Sequence, residues 1–182
     1  MQDKQRVQTK IAIMIKIGND ISSFSSYSCQ PKNKYELKNI IKERIYKEGF
    51  NCNLNDIDVS LIDDMSYLFV ESKFNGDISK WDVSRVKTMY GMFYSSSFNG
   101  DISGWNITNL KDISGMFYKS KFNQPLCRWN VSNVKIMYCT FAYSEFNQDI
   151  SRWKINDKCN TKKMFNESRI KEEFKPKSLI SQ

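Results

Sequence analysis

One phrase returns through the middle of the chain at a fixed interval: FNGDISKW from Phe74, FNGDISGW from Phe98, FNQPLCRW from Phe122 and FNQDISRW from Phe146. The interval is 24 residues every time. A constant period of this size marks stacked supersecondary units, each too small to bury its own apolar face alone. Phe50-Asn51 stands one period before Phe74, so five units follow without insertion: 50–73, 74–97, 98–121, 122–145 and 146–169. Position 1 is always Phe and position 2 always Asn. Position 8 is Ile57 and then Trp81, Trp105, Trp129 and Trp153, and position 20 is Phe in all five units.

Within a unit the apolar period changes. Trp81 and Val83 flank Asp82, the alternation of a short half-buried strand. Val86, Met89 and Phe93 then fall at the spacing of one helix face. Between the two patterns sit Ser60, Ser84, Thr108, Ser132 and Asn156, all residue types that cap helix N-termini. Each unit is therefore expected to be strand, cap, short helix and turn. The fold class expected is an α/β repeat solenoid, a parallel stack of five short strand–helix units about 24 Å long at the ~4.8 Å spacing of paired strands.

The flanks read as covers for this array. Residues 33–49 are expected to form an N-terminal capping helix, with Asn33 as N-cap, Glu36 three residues on, an apolar stripe of Leu37, Ile40, Ile41 and Ile45, and Gly49 as the stop. Residues 1–32 read as a flexible leader or a degenerate export signal. The apolar stretch 11–17 is broken by Lys16, and 22–28 is a serine-rich connector. Residues 170–182 offer Phe174, Leu179 and Ile180 as a C-terminal cover. No segment is long enough to span a bilayer.

Composition narrows the chemistry. The chain has no histidine, which removes the commonest general base and the commonest metal ligand. Its five cysteines contain no CxxC pair, so free thiols are expected rather than a zinc site or a disulfide framework. Neither catalysis nor a cofactor is expected. Asp77, Asp101 and Asp149 recur at one position, but one carboxylate per turn is sparse for calcium, and turn hydrogen bonding is the expected role.

The sub-pattern Ile78-x-x-Trp81-x-Val83-x-x-Val86, followed by Met89-x-x-Met92-Phe93, matches the L-x-x-L-x-L portion of a leucine-rich repeat. With its lead-in, Pro31 to Leu37 and then Leu54-Asn55-Asp56-Ile57-Asp58, the array over about residues 31–169 resembles the BspA-type leucine-rich repeat family of bacterial surface proteins. The resemblance implies a parallel solenoid, a cell-surface or secreted location, and a role in adhesion or host contact. A cytoplasmic interaction scaffold is the alternative.

Recognition is expected at the variable positions beside the Trp ladder. These are Asp56, Lys80, Gly104, Arg128 and Arg152 on its amino side, and Asp58, Asp82, Asn106, Asn130 and Lys154 between Trp and the following aliphatic residue. Both series run from acidic to basic, and the net charge per unit is −4, +1, +1, +1 and +3. A protein or host-surface ligand, an acidic one matching the basic end, is the expected partner of this face, with the chain itself a monomer. A second ladder, Lys87, Lys111 and Lys135, could track phosphates, but Asp63, Asp112 and Asp157 interrupt it, so nucleic acid is disfavoured.

Overall fold

The computed structural model describes residues 28–180. Most of the leader, the apolar stretch 11–17 and all of the serine-rich connector except Ser28 fall outside them, as does the side chain of Ile180. The first element is helix α1, Lys34–Glu48. The Asn33 side chain accepts the N–H groups of Tyr35 and Glu36, and the Glu36 carboxylate accepts the Lys32 N–H in return. Gly49, at φ 87°, closes the helix by donating its N–H to the Ile45 carbonyl. Leu37 and Ile41 are buried, and Ile40 and Ile45 pack partly against the same core.

Beyond α1 the 24-residue units do stack in parallel, but they are not strand–helix units. Among the described residues the other helices are a three-residue 3₁₀ turn, Glu172–Phe174, and α2, Lys177–Ile180. Pairing between units is confined to isolated parallel bridges, with Asp64, Thr88, Asp112, Ile136 and Asn160 joined in series. The expected α/β solenoid of leucine-rich-repeat type is thus overturned. The array is a column of irregular coils, with neither a sheet nor a helix inside any repeat.

The hydrogen bonds give the reason. An α-helix requires each N–H to reach back four residues. Here Met92, Tyr94 and Ser96 close three-residue turns onto Met89, Gly91 and Phe93. The alternate amides of Gly91, Phe93 and Ser95 leave the unit altogether and donate to Ser114, Met116 and Tyr118 of the next, at 2.7–2.9 Å. Two left-handed residues per unit enforce the pattern. Position 18 is Tyr67, Gly91, Gly115, Cys139 or Lys163, with φ between 55° and 58°, and position 22 is Glu71, Ser95, Lys119, Tyr143 or Glu167, with φ between 50° and 57°. A left-handed residue ends a right-handed helix. Successive three-residue turns bury about every third side chain, so their apolar spacing imitates a helix face.

The residues expected to cap helices have another role. Asp58, Asp82, Asn106 and Asn130 accept the N–H of Ser60, Ser84, Thr108 and Ser132 through their own side chains, forming turns of the Asx type. Lysines at the next turn therefore oppose no helix dipole. Lys87, Lys111 and Lys135 lie where the backbone itself forms an inter-unit ladder of 2.8 Å bonds, and Lys87 also pairs with Asp63.

Four side-chain ladders hold the column. Each indole N–H donates one unit back: Trp81 to the Leu54 carbonyl, Trp105 to Ile78, Trp129 to Ile102 and Trp153 to Leu126. Ile57 occupies this position in the first unit, which has no complete unit behind it to accept such a bond. The Asn side chains work the opposite way, Asn75, Asn99, Asn123 and Asn147 each accepting a backbone N–H from the following unit. Phe69, Phe93, Phe117, Phe141 and Phe165 stack at 5.5–5.8 Å. Beside them Phe74, Phe98, Phe122 and Phe146 stack at 6.1–6.3 Å. Burying each of these rings stabilises the column by roughly 1.5–3 kcal/mol.

Both ends are covered. Residues 28–30 add a rung to the first unit through the Cys29–Ile57 bridge. Arg44 of α1 reaches Asp56 at 2.7 Å and the Asn53 carbonyl at 2.9 Å, and Lys34 reaches Asp64 at 2.5 Å. At the far end Ile170 is buried at the place of the next Phe, the Lys171 N–H bonds Asn147, and the Phe174 carbonyl accepts the Ile150 N–H. Residues 170–177 are in effect the opening of a sixth turn.

Candidate functional site: a tyrosine-lined groove

Of the positions expected to form a binding face, Asp56 and Asp58 are half-buried and engaged within the chain. Burial pushes the Asp56 carboxyl up, but its bonds with Arg44 and Ser28 outweigh this and hold it below the usual carboxylate range. Asp58 follows the same balance, with Ser60 and Gln30 as its partners. Asp82, Asn106 and Asn130 are exposed, each committed to its own turn through one side-chain oxygen. Lys80, Arg128, Arg152 and Lys154 are exposed, and Gly104 leaves open space between them. Arg128 and Arg152 lie close enough to Asp101 and Asp149 to lower those carboxyls.

Asp77, Asp101 and Asp149 close turns. Each accepts the N–H two residues on, from Ser79, Ser103 and Ser151, and those bonds hold the three carboxyls low. Among the described residues no group of three acidic or thiol side chains is arranged to hold a metal ion. The five cysteines are free. Burial pushes the Cys52 and Cys159 thiols up, away from the thiolate that nucleophilic chemistry requires. No helix among the described residues is long and apolar enough to cross a membrane.

A different surface concentrates the unusual residues. Position 18 is left-handed in every unit, and positions 17, 21 and 22 surround it. Tyrosines occupy these positions irregularly: Tyr67, Tyr90, Tyr94, Tyr118, Tyr138 and Tyr143. The fold gathers all six into one groove of about 290 Å³. Its lining draws on every unit, from Tyr67 in the first to Lys163 and Asn166 in the fifth. Four steps of the ladder make it roughly 19 Å long. Gly91 and Gly115 form the floor, open above Gly115 and covered by the Tyr67 ring at Gly91.

The rings are held in defined contacts. Tyr67 meets Tyr90 edge to face at 4.8 Å, Tyr94 and Tyr118 stack at 4.8 Å, and Tyr143 meets Tyr118 at 5.5 Å. The Lys119 ammonium lies over the rings of both Tyr118 and Tyr143. The Tyr143 hydroxyl accepts the Asn166 side-chain amide at 3.1 Å, leaving its own proton to give. A hydrogen bond with Tyr90, reinforced by partial burial, pushes the Tyr67 phenol up to about 12. Among the described residues no tyrosine belongs to the buried core.

The invariant positions hid this groove from a reading of the sequence. Invariance down the array picks out the residues of the stack, whereas the tyrosines stand where the repeats disagree. Their signal was that six of the nine tyrosines fall at four neighbouring positions of the repeat.

Residues 35–143 and 115–175 match a family described as "Mycoplasma protein of unknown function, DUF285". The chain belongs to this family. The two matched stretches overlap within the third and fourth units and together span the array from α1 to the C-terminal cover. No curated protein and no solved structure matches the chain.

Proposed function

We propose that this member of the DUF285 family is a non-catalytic binding module whose contact surface is the tyrosine groove. One observation carries the reading: six tyrosines converge along one line of the column although none of them is in its core. Packing does not explain them. Surface tyrosines offer a large rigid ring and a hydroxyl at small entropic cost, the combination that recognition surfaces favour. Four of the six are 39–48% exposed, so their rings meet solvent rather than one another alone.

The resemblance to BspA-type repeats favours adhesion or host contact as the setting. The exposed cations Lys80, Arg128, Arg152 and Lys154 would then steer an acidic partner toward the column without forming the contact itself. The test compares three proteins on a surface coated with host-cell extract: wild type, Tyr90→Ala/Tyr138→Ala, and Arg128→Glu/Arg152→Glu. Retention lost in the tyrosine variant and kept by the arginine variant at physiological salt supports the groove. The opposite pattern returns recognition to the charged face. Protease shaving of intact cells, read by release of peptides from this chain, tests surface placement.

A further inference from the structure

Resting on the groove as the contact surface, we infer that its occupant is a proline-rich segment in the polyproline II conformation, with an acidic residue at the end that lies on the fifth unit. The backbone of the floor is already spent. The N–H groups of Gly91, Gly115 and Cys139 donate to the next unit at 2.9–3.2 Å, and their carbonyls accept Tyr94, Tyr118 and Ala142 of their own units. A peptide cannot add itself here as a strand, because strand addition needs unpaired main-chain groups. Recognition must come from side chains, as it does when aromatic ridges take a polyproline helix.

The dimensions agree. Tyr90 and Tyr138 occupy the same repeat position two units apart, and the small, buried Ser114 leaves a gap between them. Two ladder steps are roughly 9.6 Å. A polyproline helix repeats every three residues, or about 9.3 Å. Each tyrosine can therefore meet an equivalent face of the helix, and the gap can take the residues between. About six residues fill the groove at ~3.1 Å each. Such a helix presents carbonyls that nothing within it satisfies, and the groove supplies phenol protons, that of Tyr143 among them. Proline brings no N–H that would lose its water without finding a partner.

Charge fixes the polarity. No carboxylate lines the groove; Lys119 lies over its Tyr118 and Tyr143 rings, Lys163 lines its fifth-unit end, and that unit carries a net +3. An acidic flank is complementary to that end. A glycan fits less well, because Tyr94 and Tyr118 cover one another's faces and cannot both offer a platform to a sugar ring.

Four probes test this by calorimetry on the whole chain: hexaproline, hexaproline flanked by two glutamates, a glycine-serine peptide of equal length, and cellohexaose. The flanked peptide is expected to bind at least about tenfold more tightly than the glycine-serine peptide. Tyr90→Ala/Tyr138→Ala, both at exposed positions and checked for an unchanged melting transition, should lose that binding. Lys163→Glu should bring the flanked peptide down to the level of hexaproline. No saturable binding of either proline peptide, or equal binding of the glycine-serine peptide, overturns the occupant. Cellohexaose bound in their place, and lost in the tyrosine variant, overturns the occupant while keeping the groove. Proline-peptide binding that survives the tyrosine variant overturns both.

Discussion

Replacing Gly91 and Gly115 by alanine, one at a time, separates the strain of the turn from the architecture of the groove. The two glycines occupy the same repeat position with nearly the same backbone, φ 57° and 58°. An L-residue in that conformation costs about 1–2 kcal/mol. Restricting the unfolded chain returns about 0.4–1 kcal/mol. Gly115→Ala should therefore lower stability by roughly 0.5–1.5 kcal/mol, since a Cβ there meets nothing nearer than Tyr118 Cβ at 3.9 Å. At Gly91 a Cβ would stand 2.5 Å from Tyr67 Cε1 and 2.7 Å from Tyr67 Cδ1. The ring has to swing away and abandon its edge contact with Tyr90, a further ~0.5–1.5 kcal/mol. Near 182 residues each kcal/mol is worth roughly 2–4 °C in the melting temperature.

The difference between the variants carries the test. Gly91→Ala should melt a few degrees below Gly115→Ala, and should also bring the Tyr67 phenol down from about 12 toward the ordinary tyrosine range. Absorbance of the phenolate during an alkaline titration reads the second effect directly, with Tyr67→Phe identifying the transition. Equal melting temperatures together with an unchanged titration would refute the reasoning, because the Tyr67 ring could then not be resting on Gly91.

Other expectations follow from the same contacts. Arg44→Met leaves the half-buried Asp56 and the Asn53 carbonyl without their partner and should cost about 1–2 kcal/mol, discounted because Asp56 is 36% exposed, with the loss appearing in denaturant unfolding. Trp105→Phe gives up one hydrogen bond and part of a ring, roughly 2–3 kcal/mol; the Ile78 carbonyl keeps the Trp81 N–H, so a loss above 5 kcal/mol would contradict this account. The Asp56, Asp64, Asp77 and Asp101 carboxyls are all held below their unfolded value, so the stability they contribute is complete above about pH 4 and disappears as the pH falls through their lowered values. Melting temperature against pH should be flat from neutrality to about that point and then drop, and in Arg44→Met the drop should be shallower, because the Asp56 carboxyl, left with its burial, is no longer held so far below its unfolded value.

The column explains which positions stay the same from unit to unit in this chain. Phe, Asn and Trp at fixed positions bond or stack with their counterparts one unit away, so each unit is completed by its neighbour. A repeat that loses one of these residues weakens two interfaces at once. The groove is under no such demand, and its tyrosines can vary between units without disturbing the stack.

The amino-acid sequence by itself determined the period, the number of units, the side chains that would form ladders and the helix at the N-terminal end. Spacing is a one-dimensional property, and contacts between equal positions of successive units follow from it directly. The conformation inside each unit was decided only by the tertiary structure. Val86, Met89 and Phe93 have the spacing of a helix, but their alternate amides bond to the next unit, and no local pattern in the chain states that preference. The groove lay further still from view. Tyr67, Tyr94 and Tyr138 belong to different units and different repeat positions, and they meet because two left-handed residues per unit fold the chain back at the same height in every turn. Stacking turns a repeat in the chain into a line on the surface, and only along that line do the irregular residues become a site.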